Sequence, residues 1–81
     1  MDKVIYKFKS KINLKKLGNN IRAERNRHNY TQEDLESITG ILAQHIGRIE
    51  KGEIDIRIST LVVLLKALNV PFEALYNIKE D

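Results

Sequence analysis

The chain contains no cysteine. That excludes disulfides, thiolate metal sites and a cysteine nucleophile, and it fits a reducing cytoplasm, where we expect the protein to act. Its longest uninterrupted apolar run is Leu61 to Leu65. A bilayer-spanning helix needs about 20 apolar residues, so no membrane segment is expected. The first residues carry lysines but no continuous apolar stretch, so a secretory signal is not expected either. The two histidines, His28 and His45, stand in no ligand-like spacing with Asp or Glu, and no metal or other cofactor is expected. There is no nucleophile-elbow motif and no phosphate-cradling glycine loop. Nothing here marks an enzyme.

What remains is a small chain with 42% hydrophobic residues, one Pro and four Gly, which is not the composition of a disordered segment. Its 81 residues make one domain, and a core this limited is best built from helices with short loops. Net charge is a modest +3, but its distribution is uneven. Residues 1 to 28 hold nine Lys/Arg and two acids, a balance of +7; residues 29 to 81 hold five Lys/Arg and nine acids, a balance of −4. A basic N-terminal third fits a polyanionic partner, although charge alone fits a solvated face at least as well.

Along the chain, Val4, Tyr6 and Phe8 alternate with Ile5, Lys7 and Lys9, which suits a strand, while Val4, Phe8 and Ile12 sit four apart, which suits a helix. We read residues 1 to 12 as a short extended arm, to be paired with a symmetry mate or with the alternating stretch Ile54-Asp55-Ile56-Arg57-Ile58. Its lysines serve either phosphate contact or solubility. Asn13 is placed to cap a helix from Leu14, with Leu14, Leu17, Ile21 and Arg25 on one stripe and Asn29 as a left-handed stop. Thr31 and Asp34 form an acidic capping box for a helix from Gln32 to Thr39, and Gly40 permits a sharp turn. A third helix covers Leu42 to Lys51, with Ile46 and Ile49 inward, and Gly52 closes it. A fourth starts near Ser59 and carries Leu61, Val62, Leu64, Leu65 and Leu68. Val70-Pro71 opens a short fifth helix to about Tyr76.

Two short helices joined by a glycine turn, the second apolar on one face with Gln and Arg on the other, form a helix-turn-helix pattern. The chain resembles the Cro and phage-repressor type of helix-turn-helix domain, the xenobiotic-response-element family. Leu17-Gly18, Ile21-Arg22, Arg25, Thr31-Gln32-Glu33-Asp34-Leu35, Gly40-Ile41, Ile46, Arg48-Ile49-Glu50-Lys51-Gly52, Thr60-Leu61 and Lys66-Ala67-Leu68-Asn69-Val70 carry the likeness. Each is weak alone; their joint spacing is specific. The resemblance implies an all-α, five-helix repressor-like domain over residues 13–78, behind the extended arm at 1–12 and ahead of a tail at 79–81.

The resemblance also assigns roles. Gln32 matches a glutamine that contacts DNA phosphate at a helix N-terminus. Ala43, Gln44 and Arg48 match base-facing positions of the recognition helix. Their chemistry suits thymine methyl, adenine and guanine respectively. Lys51 matches a backbone contact, and His45, on the same helix, is placed to meet a phosphate or to sit exposed at its edge. Arg25 and Glu50 match a structural ion pair. Taken alone, Arg48 reads as a solvated arginine beside Glu50; within this frame it reads as a DNA contact.

Four residues depart from the family. Glu36 stands where a small residue packs the second helix on the third, so its carboxylate must turn outward or find a partner. Leu42 replaces a capping Ser or Thr, a loss of ~1 kcal/mol. Gly47 interrupts the recognition helix, costing a further ~1 kcal/mol while opening a close approach to DNA. Val63 replaces a charged, exposed residue.

The expected function is sequence-specific binding of double-stranded DNA by a transcriptional regulator, acting as a homodimer on a pseudo-palindromic operator with half-sites about 34 Å apart. Val63, Phe72, Tyr76 and Ile78 supply apolar surface for that dimer or complete a small core. No residues remain for a ligand-sensing domain. The alternative is a protein-interaction module, such as the antitoxin or adaptor partner of another protein. Phage Cro-like proteins, restriction–modification controllers and DNA-binding antitoxins all fit the resemblance, and the residues do not choose among them.

Overall fold

The computed structural model describes residues 13–71. They form four helices: α1 (Leu14–Arg27), α2 (Gln32–Thr39), α3 (Ala43–Glu50) and α4 (Ile58–Ala67). The described residues are all-α, with no strand among them. The arm at 1–12 and the fifth helix beyond Pro71 lie outside the described residues, as do Phe72, Tyr76 and Ile78.

Local chemistry explains the starts of α1 and α2 and the stop of each helix. The Asn13 side chain accepts the Lys15 and Lys16 backbone N–H groups at 3.0 and 3.1 Å, satisfying donors that the first turn leaves free. At α2 the capping box is complete: Thr31 Oγ1 accepts the Asp34 N–H at 2.9 Å, and the Asp34 carboxylate accepts the Thr31 N–H at 2.8 Å. Each of the four helices is followed by a residue in the left-handed region: Asn29, Gly40, Gly52 and Asn69. Glycine adopts that conformation without penalty and asparagine with little. Thr39 Oγ1 donates to the Leu35 carbonyl and accepts the Ile41 N–H, which ties the α2–α3 turn together.

One core joins all four helices. Leu17 and Ile21 of α1, Leu35 of α2, Ile46 and Ile49 of α3, and Leu61, Leu64, Leu65 and Leu68 at α4 are buried in one cluster. The i, i+3 and i+4 spacing in the sequence is the spacing that builds this face. Helix α3 packs on both α1 and α2, and α2 also packs on α4. The close α1–α3 approach depends on Gly18, where a Cβ would stand 2.4 Å from the Ile49 carbonyl oxygen and 2.5 Å from that of Glu50.

Three expectations are corrected. Helix α3 is Ala43–Glu50, with Leu42 and Lys51 as its caps rather than its ends. Helix α4 starts at Ile58, one residue before the Ser59 near which its start was expected. The alternating 54–58 stretch is an irregular connection over 54–57 that runs into the first residue of α4, rather than a strand. Its alternation is real, because Ile54 and Ile56 pack against the core while Asp55 and Arg57 are exposed, but it pairs with no other segment among the described residues.

Candidate nucleic-acid interface

Helix α3 divides into two faces. Ile46, Ile49 and Glu50 are buried, while Gln44, His45, Arg48 and Lys51 are exposed. Gln44 and Arg48 are one turn apart, as are His45 and Arg48, so these side chains form one polar stripe on the outer face. Ala43 is half-buried at the head of the helix. Arg48 Nε lies 3.8 Å from Glu53 Oε1, with both side chains more than half exposed. Such a contact constrains Arg48 little. Its acidic neighbour is therefore Glu53 rather than Glu50, which the isolated-residue reading had named.

Glu50 is engaged elsewhere. Arg25 Nε donates to Glu50 Oε2 at 2.7 Å and Arg25 Nη2 to Oε1 at 3.0 Å, a bidentate pair joining α1 to α3. Side-chain exposure is 12% for Arg25 and 4% for Glu50. Arg25 Nη1 also donates to the Tyr30 carbonyl at 2.8 Å, which fixes the α1–α2 corner to the same guanidinium. Hydrogen bonding to Glu50 raises the Arg25 pKa. Burial opposes this, and the charges of Glu50 and Glu33 add to it.

Gln32 belongs to this network. Its Nε2 donates to Glu50 Oε1 at 3.2 Å, and the residue is half-buried. It sits at the N-terminus of α2, as expected, but its amide nitrogen is turned to a carboxylate of α3. Gly47 makes room for it: a Cβ there would lie 3.3 Å from Gln32 Nε2 and 3.4 Å from Oε1. In the structure the missing side chain at Gly47 thus faces Gln32.

The missing cap of α3 is supplied from α2. Leu42 makes no side-chain cap hydrogen bond, and Glu36 Oε1 accepts the Ala43 N–H at 2.9 Å. A carboxylate is well suited to that position, because the helix N-terminus carries partial positive charge. The two departures at Glu36 and Leu42 are therefore halves of one arrangement. The clue in the sequence was that an orphan carboxylate and an uncapped helix occurred together.

His28 Nδ1 lies 2.9 Å from the Glu24 carbonyl, and the ring stacks on Tyr30 at a centroid separation of 5.4 Å. It is packed at the end of α1. Among the described residues no group of three His, Cys, Asp or Glu could hold a metal ion, and no helix is long and apolar enough to cross a membrane. Val63 is exposed on α4.

Two helices set across a glycine turn, the second buried on one face and polar on the other, define a helix-turn-helix domain. The helix-turn-helix family model matches residues 21–75, and the chain belongs to that family, of the Cro and xenobiotic-response-element type. Over 53 residues the chain is 43% identical to control protein C.SmaI of Serratia marcescens, a match covering 65% of this chain and 63% of that protein. Among solved structures it is similar to the restriction–modification controller protein C.AhdI from Aeromonas hydrophila, with a TM-score of 0.72 and 26% identity over 76% of this chain and 94% of that one. It is also similar to the controller protein C.Esp1396I, solved as a tetramer on its natural 35-base-pair operator, with a TM-score of 0.69 and 27% identity over 78% and 83% of the two chains.

Proposed function

We propose that this protein is a transcriptional regulator of the restriction–modification controller kind, which binds double-stranded operator DNA sequence-specifically as a homodimer in the cytoplasm. The observation that carries this reading is the exposed stripe Gln44, His45, Arg48 and Lys51 on α3. Its backbone is tied to α1 by Arg25–Glu50 and to α2 by Glu36. A helix held at both ends presents hydrogen-bonding side chains to a groove from a backbone that needs no further ordering on binding. The similar proteins are controllers, and one of them is solved on its operator.

In this reading Arg48 takes guanine and Gln44 adenine, each in bidentate fashion, while Ala43 meets a thymine methyl. Lys51 and His45 contact the backbone. Gln32 serves a phosphate through the N-terminus of α2 while its amide remains bonded to Glu50.

The test is selection of bound duplexes from a random pool. The expected product is a pseudo-palindrome with half-sites about 34 Å, one helical turn, or a multiple of it apart. Affinity should fall steeply with salt, as counterion release from several phosphates requires. A stoichiometric protein partner with no DNA retardation at low salt would instead make the domain an interaction module.

A further inference from the structure

We propose that Leu42 is a specificity-determining residue, reading a thymine methyl group in the major groove. The inference rests on the DNA-binding function proposed above and adds a residue and a base to it. Leu42 is 64% exposed, and of the large hydrophobics exposed among the described residues (Ile38, Leu42, Ile58 and Val63) it is the one at the N-cap of the recognition helix. Its backbone is held on both sides. Its carbonyl accepts the Ile46 N–H at 3.0 Å, and the next N–H, that of Ala43, is bound by Glu36. The side chain therefore stands at a defined point directly ahead of Ala43 and Gln44. Residues at the N-terminus of a recognition helix are the ones that reach base edges.

Chemistry selects the ligand. Leucine has no donor or acceptor, so it can serve neither a phosphate nor a base edge by hydrogen bonding. The one apolar group that the major groove offers is the C5-methyl of thymine. The cap arrangement points the same way. Glu36 occupies the first free N–H of α3 with a negative charge, which disfavours phosphate at that end of the helix. Because Glu36 performs the capping, position 42 is released from the polar residue that capping demands.

The experiment uses the operator obtained by selection, with deoxyuridine replacing thymine at one position at a time. For the parent protein, one position per half-site beyond the one that Ala43 meets should show binding weakened about fourfold, the worth of one buried methyl. Leu42→Ala, at an exposed site, should melt as the parent does and bind the thymine and deoxyuridine duplexes equally at that position. Leu42→Met, which keeps an apolar reach, should retain most of the parent's preference. If Leu42→Ala keeps the full thymine preference at every position, or the parent shows no methyl-sensitive position, the inference is overturned while DNA binding stands. If the parent retains no duplex from the pool, the DNA reading itself fails and this inference falls with it.

Discussion

Glu36 Oε1 accepts the Ala43 backbone N–H at 2.9 Å, so the second helix caps the third from seven residues upstream. An ordinary N-cap is local: the side chain just before the helix folds back on its first turn. Here that side chain is Leu42, which cannot do so. Moving the cap to α2 couples the two helices. It turns the half-buried carboxylate, otherwise a penalty, into a contact that ties α2 to α3.

Glu36→Ala should therefore destabilise the protein by about 1 kcal/mol, the usual worth of a cap. In a Leu42→Ser background the same change should cost much less, because the serine restores a local cap. Urea denaturation of the four proteins gives the coupling energy directly. Equal losses in both backgrounds would show that Glu36 does not cap α3.

The Arg25–Glu50 pair should respond asymmetrically. Arg25→Ala leaves Glu50 buried with Gln32 as its one side-chain partner among the described residues, and removing one side of a buried pair costs roughly 3–5 kcal/mol. Glu50→Ala leaves Arg25, the more exposed partner, still bonded to the Tyr30 carbonyl, and should cost less. Thermal melting ranks the two. A melting temperature unchanged by Arg25→Ala would remove the pair as a structural tie.

Two helical glycines should behave oppositely on replacement by alanine. At Gly18 the new methyl meets carbonyl oxygens of α3 that cannot yield separately, so α1 must move out, at about 1–3 kcal/mol. At Gly47 the methyl meets only the end of the Gln32 side chain, which can shift by a few tenths of an ångström. Helix propensity then favours alanine by up to about 1 kcal/mol, and Gly47→Ala should melt higher than the parent. A lower melting point would mean that the Gln32–Glu50 contact is worth more than the propensity gained.

Arg48→Ala should leave stability unchanged, because its contact with Glu53 is long and exposed. On the selected operator it should lose about 1–3 kcal/mol of binding and relax the preference at one base pair. Parent-like binding to every base variant would remove Arg48 from the reading set.

Much of the fold was legible because its signals are local. Asn13, Asn29, Thr31 with Asp34, and Gly40 each act within a few residues of where they stand, and the structure places all of them as their chemistry predicts. The apolar spacing picked out every buried leucine and isoleucine of α3 and α4. The 54–58 stretch misled because alternating burial arises in any extended segment laid across a core, whether or not it pairs with a strand. Of the candidate site, the exposed stripe on α3 follows from the same periodicity. The partners of Gln32 and Glu36 do not.

The sequence by itself determined, to within a residue, where the described helices begin and end, which faces are apolar, and which residues stand exposed on α3. Those properties depend on backbone propensity and residue spacing, which operate over one or two turns. Only the tertiary structure decided that Glu36 caps α3, that Gln32 joins the Arg25–Glu50 pair, and that Gly18 and Gly47 are spaces for neighbouring groups. Each of those depends on how closely two helices approach. That distance is set by the packing of the whole core around Leu35, Ile46, Leu64 and Leu68, and no single stretch of the chain carries it.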